Sequence, residues 1–330
     1  MTGIILILPL IIGFFLDCIL GDPYRLPHPI RIIGKFISVN EKRIRRIMPE
    51  KLRFGGVILA VMTVIFSVCI PAVIIMVCYM LNVLIGVLAE SVFCYYMIAP
   101  KCLKIESFKV YKALEEGDIE KARRAVSMIV GRDTDTLDKD GIIRATVETV
   151  AENTSDGVTA PIMYMAFGGA VVGFFYKAVN TLDSMVGYKN EKYSDIGWFS
   201  AKFDDILNFI PSRLTAFFMI ISSFLLGFDG KNAFKIWKRD RKKHASPNSA
   251  QTESVCAGAL NIRLAGDAYY FGKLCKKSFI GDDLRKIECN DIIRANKLMY
   301  FSAVISLVFS VIFRVFFGIY FQNYFLEWIL

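Results

Sequence analysis

Long hydrophobic blocks alternate with dense polar stretches along this chain of 330 residues. Residues 54–99 contain a single charged side chain, Glu90, and residues 298–326 contain only Arg314. A helix needs roughly 20 apolar residues to cross the hydrocarbon core of a bilayer. The first of these blocks therefore predicts two spans joined by a tight turn, and the second predicts another span.

The whole pattern predicts an all-α integral membrane protein, a multi-spanning helical bundle with cytoplasmic helical segments. We expect a single membrane-embedded domain over residues 1–330, in the lipid bilayer of the cell membrane. The apolar blocks are 3–20, 55–77, 79–99, 158–176, 206–228 and 298–326.

Two of the blocks leave the topology open. If all six cross, the polar stretch 177–205 faces the side opposite the other polar stretches. The block 206–228 has only 15 consecutive uncharged residues, 214–228, and is short for a span. We therefore predict four crossings, with 158–176 and 206–228 forming a re-entrant helix pair. The block 3–20 is predicted to be a retained first helix, because no Lys or Arg precedes it and no small-residue cleavage site follows it.

The formal net charge of +9 is explained by the membrane rather than by nucleic acid. Nine Lys and Arg residues lie in 21–53 and fifteen in 229–297, and basic loops mark the cytoplasmic side. With four crossings, the stretches 100–157 and 177–205 face the cytoplasm as well. No recognised nucleic-acid-binding motif is present, so nucleic acid is not expected as a partner. The eight Cys residues form no C-x-x-C pair and there are only two His residues, which argues against structural zinc.

The polar stretch 100–157 contains an acidic loop between two predicted helices. Asp118 is placed to cap a helix that runs to about Val130, and Gly131 is placed to end it. Four aspartates then follow within eight positions, at 133, 135, 138 and 140. Crowded carboxylates suit Mg²⁺, which often takes one or two of them together with substrate phosphates. The alternative is a solvated loop that supplies helix caps.

The second predicted helix begins near Gly141 and carries a charged stripe. Arg144, Glu148 and Glu152 recur every four residues and so share one face. The two glutamates repel each other unless a cation or a substrate lies between them. The alternative is a surface ion pair. The helix is predicted to break at residues 153–157.

Three further polar segments are dense enough to carry chemistry. Residues 177–190 follow an apolar block directly, and polar groups at membrane depth are costly unless they line a cavity; the alternative is interfacial lysines. Residues 239–249 begin with basic residues that suit phosphate, or else flank a span as contacts for lipid. Residues 21–31 place His28 between two prolines, as an acid–base group or a turn residue.

No G-x-x-x-x-G-K-[ST] loop is present, so any use of ATP requires a different site.

Together these segments resemble the adenosylcobinamide-phosphate synthase family of cobalamin biosynthesis, the CobD/CbiB family. The resemblance covers most of the chain, in the family's order. It rests on GDPYRLPHPIR (21–31), VGRDTDTLDKDGIIRATVETVAENTSDGVTAP (130–161), KAVNTLDSMVGYKN (177–190), DDILNFIPSRL (204–214), RDRKKHASPNS (239–249) and AGAL (257–260).

The resemblance implies a ligase that forms an amide bond. A propionate carboxyl of adenosylcobyric acid, the corrinoid substrate, is joined to (R)-1-amino-2-propanol or its O-phosphate. ATP is expected to activate the carboxylate with Mg²⁺, because transferring phosphoryl groups requires stabilised charge. Other enzymes of the corrin pathway are further candidate partners.

The resemblance also selects candidate site residues. Those expected to hold magnesium or bind the amine are Asp133, Asp135, Glu148, Glu152 and Asp156, the first four as metal ligands. Those expected to hold phosphates are Arg132, Arg144, Lys189, Arg239 and Arg241. Those expected to position or contact substrates are His28, Asn153, Asn180, Asp183, His244 and Asn248. Asp183 and Lys189 are also placed among the catalytic residues.

Two small residues depart from the family pattern. Ala250 stands where the family usually has glycine after the SPNS string, and Ala265 replaces the first of a usual glycine pair. The main alternative function is a transporter for a corrinoid or a small amine, which would place its charges within the spans. A non-catalytic scaffold for a corrin-pathway assembly would not need this density of polar residues.

Overall fold

The computed structural model describes residues 2–23, 27–188, 190–270 and 272–329, with side chains described between residues 5 and 316. It is built of helices joined by short connections, with two small strand pairs late in the chain. The helices are α1 (Thr2–Leu20), α2 (Pro29–Ile47), α3 (Leu52–Leu81), α4 (Val83–Met97), α5 (Pro100–Glu115), α6 (Ile119–Ser127), α7 (Lys139–Asn153), α8 (Ala160–Val186), α9 (Trp198–Leu207), α10 (Phe209–Leu225), α11 (Gly230–Asp240), α12 (Ser249–Leu260) and α13 (Asn290–Ile329).

The strands form two antiparallel pairs, one nested within the other along the chain. They are β1 (Leu264–Ala265), β2 (Ala268–Tyr270), β3 (Lys273–Cys275) and β4 (Phe279–Ile280). β1 pairs with β4, and β2 pairs with β3. The described chain contains no closed sheet, so the predicted all-α class is confirmed.

Four helices among the described residues are long and apolar enough to cross a membrane. They are Pro49–Leu81, Val83–Glu115, Lys139–Val186 and Asn290–Phe316. A fifth span would combine Trp198–Leu207 with Phe209–Leu225, which are bent by 46°. This bent pair overlaps the block 206–228, whereas the block 158–176 lies within the candidate span Lys139–Val186. The predicted re-entrant pairing of these two blocks and the number of crossings stay predictions. The multi-span character is confirmed.

The connection between the first two long spans follows the predicted tight turn. Asn82 alone separates α3 from α4. Its side-chain oxygen accepts a hydrogen bond from the amide of Leu84 at 2.8 Å, which caps α4. One capping residue thus ends one apolar helix and starts the next.

The chain divides into two compact units. Unit 1 comprises Met1–Ala99, Pro161–Leu207 and Leu307–Leu330, and unit 2 comprises Pro100–Ala160 and Asn208–Ser306. In unit 1, α4 packs against α1 and α3, and α3 also packs against α2 and α9. In unit 2, α12 packs against α7, α10 and α11. The prediction of one domain over residues 1–330 stays a prediction.

The helix predicted to break at residues 153–157 does not break, so that prediction is wrong. Residues Thr154–Thr159 form a π-helical segment that joins α7 directly to α8. The hydroxyl of Thr154 donates to the carbonyl of Val150 at 2.7 Å, and Thr159 hydrogen-bonds Thr215 of α10. Polar side chains that compete for the backbone disturb an α-helix. Here the chain stays helical but forms a wider, π-helical turn, because the segment is packed against α10.

Within unit 1, α8 contains a true interruption at Gly168 and Gly169. Gly169 has φ 64° and ψ −157°, a conformation that is open almost only to glycine. The freed backbone groups are satisfied by the two charges that the sequence showed alone in apolar blocks. Glu90 accepts from the amide of Ala170 at 3.2 Å, and Arg314 donates to the carbonyl of Met165.

The same two side chains also face each other. A guanidinium nitrogen of Arg314 lies 4.0 Å from Glu90, and the hydroxyl of Tyr79 donates to Glu90 at 2.8 Å. An interrupted helix at membrane depth is tolerated only where its backbone groups find partners. Glu90 and Arg314 therefore supply the partners that the broken helix needs.

Replacing Gly169 with alanine should destabilise the protein by about 1–3 kcal/mol, because the backbone conformation is strained for any other residue. An added Cβ would also lie 1.9 Å from a carboxylate oxygen of Glu90. Thermal unfolding in detergent measures the effect. Gly34→Ala is the matched control, since its Cβ would meet nothing closer than the sulfur of Met185 at 3.4 Å. Equal unfolding temperatures for the two variants would contradict this account.

Candidate active site

Unit 2 contains a largely polar pocket. Its walls are α7, the loop before α7, α12, and the segment that carries strands β1 to β4 (residues 264–280), which we call the strand segment. We call it the α7–α12 pocket. It encloses about 700 Å³, part of which is open to solvent. Its lining residues are Ile129, Val130, Gly131, Arg132, Glu148, Thr149, Glu152, Asn153, His244, Glu253, Ala265, Gly266, Tyr270 and Lys277.

Helix α7 presents two glutamates to this pocket because of its helical spacing. The helix begins after Asp138, whose side chain accepts from the amide of Gly141 at 2.8 Å. Glu148 and Glu152 lie one turn apart on the face opposite the buried Ile142 and Ile143. The predicted stripe is therefore present, and it faces the pocket.

Glu148 is fully committed to structural contacts. One carboxylate oxygen pairs with Arg132, and the other accepts from the amide of Ala265 at 2.7 Å. The side chains of Arg132 and Glu148 are only 11% and 13% exposed, so this pair is largely shielded from water. The sequence alternative, a surface ion pair within α7, does not form: in the described part of the chain the ion-pair partner of Glu148 is Arg132, not Arg144.

Helix α12 brings a third carboxyl into the pocket. Ser249, at its first position, donates to Glu152 at 2.7 Å. Glu253 follows one turn later and is 5% exposed. Burial raises the pKa of Glu253 well above its ordinary value, and the nearby Glu152 and Glu148 raise it further.

Cationic and imidazole groups complete the lining. The amide of Ser246 donates to Nδ1 of His244 at 3.1 Å, which assigns the ring proton of a neutral imidazole to Nε2. Burial lowers the pKa of His244, which favours the neutral ring. Lys277 donates to the hydroxyl of Tyr270 at 2.7 Å and lies over its ring. The pocket thus combines carboxyls, an imidazole N–H and two cations.

The structure brings five of the predicted residues to this pocket: Arg132, Glu148, Glu152, Asn153 and His244. Asp133, from the acidic loop, instead fixes the strand segment. Its carboxylate accepts from the amide of Gly272 at 2.7 Å, and its own amide donates to the carbonyl of Tyr269 at 2.9 Å. Asp135 is exposed, and neither aspartate lines the pocket. Asp156 lies in the π-helical segment outside the lining.

Arg239, one of the basic residues predicted to hold phosphates, has other partners. Arg239 pairs with the buried Asp240 and with Asp282. Burial alone would raise the pKa of Asp240, but hydrogen bonds from Arg239, Lys243 and the amide of Gly281 lower it to about 2. This cluster joins the end of α11 to the segment after β4.

Two further predicted contacts in unit 2 also lie outside the lining. Arg241 lies over the ring of Trp237, 4.4 Å from its centroid. The side-chain oxygen of Asn248 accepts from Ser212 at 3.2 Å and from Arg213 at 3.3 Å. Their predicted roles toward substrate stay predictions.

Three predicted residues belong to unit 1. His28 caps α2, accepts from the amide of Ile30 at 3.2 Å, and lies 3.4 Å from Asp22. Asn180 donates to Asp204 at 3.4 Å. The carboxylate of Asp183 lies so close to Gly187 that a Cβ there would be 1.9 Å away. Lys189 lies outside the described residues. The roles predicted for all four stay predictions.

The predicted magnesium ligands do not form a group. Among the described residues, no three His, Cys, Asp or Glu side chains are placed to hold a metal ion together. Both oxygens of Glu148 are used, and Asp133 and Asp135 lie elsewhere. These residues therefore do not fit a metal site built from protein ligands alone. Mg²⁺ that arrives with phosphates needs only one or two carboxylates, so the expectation of magnesium itself stays a prediction.

Sequence reasoning missed Glu253, Tyr270 and Lys277. A signal for Glu253 was available, because it is the one charged residue of an otherwise uncharged helix, Ser249–Leu260, whose residues are all buried. A glutamate is almost never fully buried unless it has a partner or a function. Nothing in the local sequence marks Lys277, because the fold of the strand segment places it.

A family profile described as CobD/Cbib protein matches residues 10–299. The chain is 50% identical over 290 residues to the Cobalamin biosynthesis protein CobD of Clostridium perfringens, covering 88% of this chain and 92% of the relative. It is 46% identical over 295 residues to the protein of the same name from Listeria monocytogenes serovar 1/2a, covering 89% and 94%. No solved structure shows a significant match to this chain.

Replacing Glu148 with alanine should destabilise the protein by about 2–4 kcal/mol. The change leaves the shielded Arg132 guanidinium and the amide of Ala265 without their acceptor. A denaturant titration in detergent measures the free energy of unfolding. Glu120→Ala removes an exposed partner of Arg123 and should change this free energy by less than about 0.5 kcal/mol. A loss no larger than that of the control would show that the pair is not structural.

Replacing Glu253 with glutamine should remove a pH dependence of stability. Because its pKa is raised in the folded protein, the folded state holds this proton more tightly than the unfolded state does. Wild-type stability therefore falls as the pH rises above the ordinary glutamate pKa, toward the folded pKa. The variant's stability relative to wild type should increase over that interval, measured by thermal unfolding at a series of pH values. Parallel curves would contradict the raised pKa.

Proposed function

Because this chain belongs to the CobD/Cbib protein family, we propose that it is an enzyme of cobalamin biosynthesis that forms an amide bond. The proposed reaction joins a propionate carboxyl of adenosylcobyric acid to (R)-1-amino-2-propanol or its O-phosphate, with ATP consumed. The observation that carries this proposal is the α7–α12 pocket, where carboxyls and cations converge on one open space.

The proposed chemistry needs both kinds of group. ATP-dependent activation transfers a phosphoryl group to the corrinoid carboxylate, and the negative charge on the phosphoryl oxygens must be stabilised. Lys277 and Arg132 are the cations that line the pocket, Arg132 being paired with Glu148 through one guanidinium nitrogen, and the Nε2–H of His244 is a neutral donor. Magnesium bound to the nucleotide phosphates would add further positive charge. The amine then displaces phosphate from the acyl carbon.

The acidic side of the pocket suits the second substrate. An aliphatic amine with a pKa of about 10 arrives as an ammonium ion. Glu152 and Glu253 offer the carboxyl groups that would attract it, while Glu148 keeps its charge balanced by Arg132. Because Glu148 is held by Arg132 while Glu152 and Glu253 are not, these two glutamates support an amine-binding role for the pocket.

A transporter for a corrinoid or a small amine is the alternative. Glu90 and Arg314 are charges within apolar segments, as a transporter would have. However, both are engaged with each other and with the interrupted backbone of α8. The enzyme proposal is favoured because the α7–α12 pocket, which is polar and partly open, gathers the carboxyls and cations that amide formation needs. The polar stretches are proposed to face the cytoplasm: 21–53 and 229–297 because they are rich in Lys and Arg, and 100–157 and 177–205 because four crossings place them on the same side.

The purified protein in nanodiscs, given adenosylcobyric acid, the aminopropanol donor, ATP and Mg²⁺, should release ADP and phosphate and form a corrinoid amide. Mass spectrometry of the corrinoid and a phosphate assay measure the products. Comparing the free and phosphorylated donors under the same conditions identifies the amine substrate. No ATP-dependent amide from folded protein would reject the proposed reaction.

Within this assay, Lys277→Met should lower turnover or raise the KM for ATP by about 10-fold to 100-fold, because it removes a cation from the pocket. Lys273→Met is the matched control. Lys273 is an exposed lysine of the neighbouring strand β3 and does not line the pocket. Equal kinetics for the two variants would remove Lys277 from the proposed phosphate site.

A further inference from the structure

The amine substrate of the proposed function must lose a proton before it can react. Its ammonium form has no lone pair on nitrogen, and at neutral pH this form predominates for an aliphatic amine. An enzyme that uses such a substrate gains about 10²–10⁴-fold from a side chain placed to take the proton. The inference below rests on the proposed function and concerns which residue does this.

Three carboxyl groups line the α7–α12 pocket, and their contacts distinguish them. Both oxygens of Glu148 are occupied, by Arg132 and by the amide of Ala265. One oxygen of Glu152 accepts from Ser249. Oε2 of Glu253 is buried and has no hydrogen-bond partner among the described residues. A buried carboxyl oxygen without a partner is costly, and such exceptions call for a specific role.

The position of Glu253 on α12 is fixed by packing rather than by polar contacts. The helix is buried along its whole length and packs against α7, α10 and α11. Glu253 is therefore held on a rigid element, one turn beyond the Ser249 that hydrogen-bonds Glu152. Rigid placement of this kind suits a group that must meet a substrate atom.

The charges around Glu253 come from several elements. Glu148 and Glu152 face it from α7, and Arg132 faces it from the loop before that helix. Lys277, in the segment after β3, and His244, in the segment after α11, complete the surroundings. With Glu148 paired to Arg132, a cation bound between Glu152 and Glu253 would offset the repulsion between these two carboxylates.

We propose that Glu253 is a catalytic residue that accepts a proton from the ammonium group of the amine substrate, which Glu152 holds beside it. An N–H bond breaks and an O–H bond forms on Glu253. The freed lone pair then forms the C–N bond to the acyl carbon as the C–O bond to phosphate breaks. A second proton of the original ammonium leaves with the phosphate, so charge and atoms balance.

Burial and the neighbouring glutamates favour the protonated form of Glu253, and its resting proton leaves for solvent when the bound ammonium ion offsets their repulsion. The ionised form produced in this way is a strong proton acceptor. After the amide forms, Glu253 returns its proton to the solvent that reaches the open side of the pocket. The acyl phosphate is supplied by the ATP-dependent activation of the proposed function. Glu253 takes no part in that first step.

The test compares two nucleophiles with the Glu253→Gln variant. Glutamine keeps the size of the side chain but cannot take a proton. With the aminopropanol donor at neutral pH, amide formation should fall by about 100-fold or more. Hydroxylamine is uncharged at neutral pH and traps an activated carboxylate without needing a base. Hydroxamate formation by the variant should therefore stay within about 3-fold of wild type.

A pH series adds a second readout. As the pH rises, more of the amine is free, so the amide defect of Glu253→Gln should shrink. Glu253→Asp keeps a carboxyl on a shorter side chain. Its rate of amide formation should lie between the rates of Glu253→Gln and wild type. Glu116→Gln, at an exposed glutamate paired with Lys121, should match wild type with both nucleophiles. Thermal unfolding confirms that each variant is folded.

The outcomes separate this inference from the proposed function. If Glu253→Gln slows hydroxamate and amide formation equally while wild type makes both, Glu253 is not the proton acceptor and the ligase proposal stands. If wild type forms neither product from ATP and adenosylcobyric acid, activation of the carboxylate is wrong, and this inference falls with it. A selective, pH-dependent loss of amide formation supports both.

Discussion

The shielded ion pair between Arg132 and Glu148 is the contact on which the geometry of the α7–α12 pocket depends. Through its two carboxylate oxygens, Glu148 joins the loop before α7 to Ala265 in the first strand, β1. Asp133 strengthens the same junction through its contacts with Tyr269 and Gly272. Three walls of the pocket are therefore held together by two acidic side chains. The pair also neutralises one of the three carboxylates, which limits the repulsion that the remaining two experience.

The backbone at this junction explains why small residues occur there. Ala265 has φ 59° and Gly266 has φ 92°, so two successive residues lie in the left-handed region. A Cβ on Gly266 would lie 2.3 Å from the ring of Phe279. The Ala265 conformation costs about 1–2 kcal/mol for a residue with a Cβ. The hydrogen bond from the Ala265 amide to Glu148 offsets part of that cost.

Features that depend on local spacing could be predicted from the sequence. The cap of α6 by Asp118, the tight turn between α3 and α4, and the shared face of Glu148 and Glu152 were all predicted correctly. The predictions that were wrong concern contacts between segments that are distant in the sequence. Arg132, sixteen residues before Glu148, replaces Arg144 as its partner.

The other errors have the same physical origin. The Asn–Thr–Ser–Asp–Gly string resembles a helix end, but packing against α10 keeps the segment helical, as a π-helical turn. Basic residues such as Arg239 resemble phosphate ligands, but a buried aspartate reached by the fold pairs with them first. Sequence composition identifies which groups need partners. It does not identify which partner the folded chain supplies.

The need of every buried charged group for a partner distinguishes the glutamates with a structural role from the one proposed to take part in the reaction. Glu90 has a tyrosine hydroxyl, a backbone amide and a nearby guanidinium, so its position is explained by the broken helix it serves. Glu148 has a guanidinium and an amide, and its position is explained by the junction it holds. Glu253 is as buried as these residues, yet one of its oxygens has no such partner in the described chain. No structural contact among the described residues offsets the free-energy cost of burying this oxygen of Glu253. A side chain that accepts a proton from an ammonium ion needs an oxygen without a protein partner, and the proposed role therefore accounts for its position.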